Sequence, residues 1–351
     1  MTRQRPFRNS RWPRSARRHR HRGVAVRRRG RRWVVAGLVL GLVLLLALAV
    51  ALAALLDRSE QPPPQPGTPE TLSCHRYGMD MDVPVRRREA AEERGLFGAD
   101  LFGPGQQTRD RFDLSFEHDG VTSGYHVLAQ GVDWSRPVGV VFRLHGDGAW
   151  EFESPEYNVS CLAEVARAHN MILVVPRTPD RSGDATWWEE RELNAEWFRA
   201  LVEERLLADY DIDRSRTWLT GYSGGAQLIG RELLADHVDL VPGGGAILLG
   251  GGQGPREAGS EPTRSQLRGL RLHWDVGRDD DGTDPRATFD ALGAARHGHR
   301  WYEAAGYDNV SLRIREGVDH FDLPDVRILD EVLTEAEEAA GEGTGESTGA
   351  G

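Results

Sequence analysis

Ser223 stands in Gly221-Tyr222-Ser223-Gly224-Gly225, a G-x-S-x-G arrangement. A serine hydroxyl attacks acyl groups when a histidine accepts its proton and a carboxylate orients that histidine. The pattern is short, and the chain has 41 glycines, so its meaning depends on its flanks. An exposed nucleophile needs a strand arriving, a sharp turn and a helix leaving. RTWLTGY (216–222) reads as the strand and AQLIGRELLADH (226–237) as the helix. Glycines at 221 and 225 remove side chains that would collide where the two elements cross.

The partners lie far apart in the chain. His320, in GVDHFD after a final strand pattern, is the candidate base. His297 and His299 fall inside a helical pattern and read as surface residues, and His145 reads as a structural histidine. The candidate acid is in Asp279-Asp280-Asp281, after the strand LRLHWDVG. Asp280, three residues beyond Gly277, is preferred, with Asp279 next. Backbone N–H groups must hold the charge that develops on the attacked carbonyl. Gly224 is one expected donor. The other belongs to the loop His145-Gly146-Asp147-Gly148, with Asp147 first and Gly148 as the alternative. Trp187 and Trp188 are candidates to line a substrate pocket, or else to pack against the sheet edge.

Charge divides the chain. Residues 1–32 carry 14 arginines and no acid, which leaves 30 arginines against 54 acids in the remainder, a net charge of −24. An acidic body argues against nucleic-acid binding, which needs cationic surface. Trp33 to Leu56 are 24 residues without a charge. As a helix they reach about 36 Å, enough for a hydrocarbon core of about 30 Å. The arginines on their N-terminal side predict a cytoplasmic head and an exported body. A cleaved signal peptide is the alternative, but its apolar core is ordinarily shorter. Export makes a disulfide between Cys74 and Cys161 reasonable, since those are the two cysteines of the chain.

The expected organisation is a basic head (1–32), an anchor (33–56) and a proline-rich linker with an N-terminal extension (57–109). A domain at 110–334 and a disordered acidic tail at 335–351 complete it. A short helix is expected at 84–96. Strand patterns at 112–118, 124–131, 138–146, 171–176, 216–222, 245–252, 270–277 and 311–317 alternate with helical ones. That alternation predicts an α/β fold, a mostly parallel sheet covered on both faces.

The pieces VVFRLHGDG, DIDRSRTWLTGYSGGAQ, Gly277-x-x-Asp280, GVDHF and Trp187-Trp188-Glu189 resemble the α/β-hydrolases. They are most similar to the exported polyhydroxybutyrate depolymerase and feruloyl esterase group. The resemblance covers about 110–334. Two features depart from that group: an aspartate follows the early His-Gly, and the chain carries an anchor. The resemblance implies ester hydrolysis through an acyl-enzyme, with Ser223 as nucleophile, His320 as base and Asp280 as its orienter. Asp147 and Gly224 would form the oxyanion hole, and no cofactor or metal is called for. An envelope acyltransferase, a serine peptidase of the same fold and a non-catalytic binding module are the alternatives.

Overall fold

The computed structural model describes residues 71–88, 108–180 and 184–345, all within the compact unit Pro69–Gly351. The expected head, anchor and proline-rich spacer lie outside the described residues, as does most of the helix expected at 84–96. Among the described residues, no helix is long and apolar enough to cross a membrane.

Two short strands, β1 (Thr71–Ser73) and β2 (Asp82–Pro84), pair antiparallel by themselves. The main sheet has eight strands: β3 (Arg111–His118), β4 (Val121–Leu128), β5 (Val138–Leu144), β6 (Met171–Pro176), β7 (Ile212–Tyr222), β8 (Gly244–Leu249), β9 (Arg271–Gly277) and β10 (Asn309–Arg315). Their spatial order is β3-β4-β6-β5-β7-β8-β9-β10. The six strands from β6 to β10 run parallel, and the β3–β4 hairpin joins β6 antiparallel at one edge. This is the mostly parallel α/β architecture anticipated from the sequence.

The central strands are mostly apolar because helices cover both faces of the sheet. Side chains alternate between two separate cores, as the period of 2 requires. Val138, Val140, Phe142 and Leu144 of β5 enter one core, and Val141 enters the other. In β6, Ile172 and Val174 join the first, and Leu173 and Val175 the second.

The strand order locates the site. After β5 the chain crosses to β6 on one side, and it returns to β7 on the other. The loops that leave β5 and β7 therefore part from one another, opening a crevice at their C-terminal ends. Leu144 of β5 pairs with Gly221 of β7, so His145–Gly148 and Ser223 face each other across it.

Residues 71–88, expected as part of a linker and extension, are tied to the body. Cys74 is bonded to Cys161, in the helix Asn158–Ala168, as anticipated, with their Cα atoms 5.9 Å apart. Arg86 pairs with Asp110 at 2.7 Å and also with Glu164, and its N–H donates to Ser160 Oγ. Of the acidic tail expected to be disordered at 335–351, residues 335–345 are described and differ from that expectation. One helix runs Asp325–Gly345. Its alanines and glutamates favour helix, and Glu337 is held by Arg216 at 3.0 Å and His169 at 3.0 Å.

The disulfide closes a loop with a sequence separation of 87. Replacing both cysteines by alanine is expected to cost about 2–4 kcal/mol of stability. Denaturant titration of the oxidised wild type beside the double variant measures that difference.

Candidate active site

The turn after β7 places Ser223. Its backbone has φ 51° and ψ −110°, a left-handed geometry that serine adopts only under constraint. Ser223 N–H donates to Leu249 O on β8 at 2.8 Å, and Gln227 N–H donates to Ser223 O. A Cβ on Gly221 would lie 2.5 Å from the Gly225 carbonyl carbon, and one on Gly225 would lie 2.3 Å from Leu144 O. Both glycines are needed for the crossing of strand and helix.

Three side chains meet at this turn. Ser223 Oγ lies 3.0 Å from His320 Nε2, and His320 Nδ1 lies 2.8 Å from Asp280 Oδ2. Ionised Asp280 can only accept, so Nδ1 carries its proton toward the carboxylate, and Nε2 is left to accept from the serine hydroxyl. The choice among three aspartates follows burial. Asp280 is 2% exposed, whereas Asp279 and Asp281 are exposed. Asp281 is occupied as a turn acceptor for Thr283 N–H and Oγ1–H. Asp280 Oδ1 has no hydrogen-bond partner among the described residues.

Tyr222 binds the turn at Ser223 to the loop that carries His320. Its hydroxyl donates to His320 O at 2.7 Å, and its ring centroid lies 5.1 Å from that of His320. Burial, with help from nearby carboxylates, raises the phenol's pKa far above its ordinary value, so the hydroxyl keeps its proton.

Opposite Ser223, the loop 145–148 is held from beneath. Burial pushes the His145 imidazole down to about 4, so the ring is neutral. Its Nε2 accepts from Thr178 N–H at 3.0 Å, and its Nδ1 donates to Gly146 O at 2.7 Å. It is the structural histidine expected. The Gly148 N–H donates to Asp184 O at 2.9 Å, which removes it as the alternative oxyanion donor. Gly224 starts the helix after Ser223, where the first N–H groups have no intrahelical acceptor.

The Asp147 carboxylate accepts from Trp188 Nε1 at 3.0 and 3.2 Å. A Cβ on Gly224 would lie 2.0 Å from Asp147 Oδ1, so the aspartate takes the space that glycine leaves. Partial desolvation raises the Asp147 carboxyl pKa, and the Trp188 bond opposes that rise. Trp187 is a correction: it is 0% exposed and packs 5.1 Å from the His145 ring. A side chain sealed under the loop cannot line a pocket. Trp188 is 40% exposed.

A cavity of about 400 Å³ meets this group of residues at His320, with Asp147 and Tyr222 also in its wall. Tyr77 and Arg76 of the disulfide-tethered segment form another part. At its inner end is a buried cluster that the sequence reading missed. Arg143 Nη2 pairs with Asp325 at 2.8 Å and Glu151 at 3.3 Å, Asn158 donates to Asp325, and Glu151 accepts from Gly146 N–H. Burial raises the Asp325 carboxyl pKa against the pull of Arg143. Arg143 inside the apolar run VVFRL was the available signal, because a buried charge requires partners. The mouth is aromatic. Exposed Trp150 and Phe321 line the cavity, Tyr157 stacks on Trp150, and a Gly251 Cβ would lie 3.4 Å from both Phe289 Cε1 and Ser223 O.

No family model and no curated protein matches the sequence. Among solved structures the chain is similar to a carboxylesterase of Bacillus cereus, at 20% identity and TM-score 0.46, covering 61% of this chain and 94% of that one. It is also similar to a ferulic acid esterase, at 15% identity and TM-score 0.46, covering 65% and 98%. An arylesterase follows at 12% identity and TM-score 0.45, covering 66% and 85%. Likenesses of this size assign no activity to the chain.

His145 makes stability depend on pH. Its folded-state pKa of about 4 lies below the ordinary 6.5, so between those values the unfolded chain binds the additional proton. The contribution is complete above about pH 6.5 and is lost as pH falls toward 4, by about 3 kcal/mol in all. His145→Gln, which does not titrate, is expected to lose less stability than wild type across that window. Denaturation midpoints at pH 7, 6, 5 and 4 measure the difference.

Proposed function

We propose that this chain is a membrane-anchored serine esterase whose active site faces away from the cytoplasm. The observation that carries the reading is the unbroken Ser223–His320–Asp280 contact, 3.0 Å and then 2.8 Å, on a strained turn at the crevice between β5 and β7. A scaffold without catalysis has no need of such a relay, held at the cost of a left-handed serine.

In this reading His320 accepts the Ser223 proton as Oγ attacks the ester carbonyl, and Asp280 steadies the imidazolium. The oxyanion is held by the N–H groups of Gly224 and Asp147. His320 then gives its proton to the departing alcohol. Water attacks the acyl-enzyme with the same histidine as base, and the acid leaves. The cavity beside His320 receives one side of the ester, and the aromatic mouth meets its apolar parts. The location rests on residues 1–56, where a block of arginines precedes an uncharged stretch of 24 residues.

A fluorophosphonate that cannot cross membranes is expected to label wild-type protein on intact cells and to leave Ser223→Ala unlabelled. Asp280→Asn, which disturbs the tautomer of His320, is expected to lower kcat on a short-chain ester about 10³- to 10⁴-fold with little change in KM. Wild type and Ser223→Ala reacting equally would overturn the assignment of the nucleophile. Labelling only after lysis would overturn the location.

A further inference from the structure

The Asp147 carboxylate takes no part in the chemistry above, which uses only that residue's N–H. It stands at the mouth of the cavity in contact with Gly224, and Trp188 Nε1 fixes it there. A negative charge is therefore attached to one residue expected to hold the oxyanion, and it touches the other. The remaining charges do not cancel it. The Nη2 of Arg143 is taken by Asp325 and Glu151. Arg76 and Asp322, both exposed in the cavity wall, add one charge of each sign.

We infer that Asp147 makes the site a charge filter. It admits esters that are neutral or cationic close to the scissile carbonyl, and it rejects those that carry an anionic group there. The inference rests on the esterase reading. When the carbonyl oxygen becomes an oxyanion, a substrate carboxylate beside it would bring a third negative charge into the space already shared with Asp147. Rejection by like charge is a common way to separate substrates of equal size. The Trp188 bond gives the filter its position, because it keeps the carboxylate against Gly224 rather than free in solvent.

The test uses three ethyl esters of nearly equal length: ethyl butyrate, monoethyl succinate and ethyl 4-(trimethylammonio)butyrate. Ethanol release by the full chain in neutral detergent is followed. Wild type is expected to prefer the butyrate to the succinate by about 10-fold or more in kcat/KM, and to accept the cationic ester at least as well as the butyrate. Asp147→Asn keeps an oxygen for Trp188 and is expected to shrink the butyrate-to-succinate ratio about tenfold, whatever happens to the absolute rate. Asp322→Asn is expected to move that ratio less. Raising the salt should also shrink the wild-type ratio, because the charge is exposed and can be screened. That reading needs no variant. Equal turnover of butyrate and succinate by wild type, or a ratio unmoved by both salt and Asp147→Asn, overturns the filter and leaves the esterase reading intact. If none of the esters is cleaved and Ser223 takes no phosphonate label, the esterase reading fails and the filter fails with it.

Discussion

The left-handed backbone of Ser223 is the constraint on which the rest depends. A non-glycine residue at φ 51° and ψ −110° costs about 1–3 kcal/mol and relaxes unless its surroundings forbid it. Here they do. Leu249 O holds the serine N–H from β8, Gln227 N–H holds its carbonyl, and the helix beyond presses against β7 and β5 at Gly221 and Gly225. Relaxing the turn would separate strand from helix and break the contact with β8. The strain is maintained by the sheet, and it is what raises Oγ to the height of His320.

A second set of contacts makes the opposing loops part of the same structure. Tyr222, one residue before Ser223, donates to the His320 carbonyl and packs under Gly146, where an added Cβ would lie 2.8 Å from its ring. The buried Arg143 continues this support: it pairs with Glu151 and Asp325, and Glu151 in turn receives the Gly146 N–H. Removing either carboxylate or the guanidinium would leave a buried charge without its partner. The cluster thus binds the end of β5, the loop 145–148 and the start of the C-terminal helix into one support beneath the cavity.

Much of this was legible from the chain, and for identifiable reasons. Strands buried on both faces are written as apolar runs such as VGVVFRL and MILVVP, and the glycines of GYSGG mark a crossing that admits nothing larger. The three aspartates at 279–281 were not separable by spacing with any finality. Burial separates them, through contacts made 40 residues away with His320. The neighbours Trp187 and Trp188 were written alike, yet one is sealed beneath His145 and the other reaches Asp147. Which one turns inward depends on the path of a loop, and local sequence does not hold that path. The tail was misread because its composition suits solvent. Long-range partners such as Arg216, through Glu337, tie residues 335–345 into the helix Asp325–Gly345. The Asp147–Gly224 contact was invisible for the same reason: it joins residues 77 positions apart across the crevice.

The disulfide-tethered segment divides the labour of the chain in an unusual way. One wall of the cavity belongs to the sheet that carries Ser223 and His320, and another is contributed by Arg76 and Tyr77 from outside that sheet. Arg76, exposed in the second wall, can therefore change without disturbing the parallel strands or the strained turn. For this architecture, what is recognised and what is done to it can evolve at different rates. The quickest route to a new preference runs through Arg76, in the short stretch between β1 and β2.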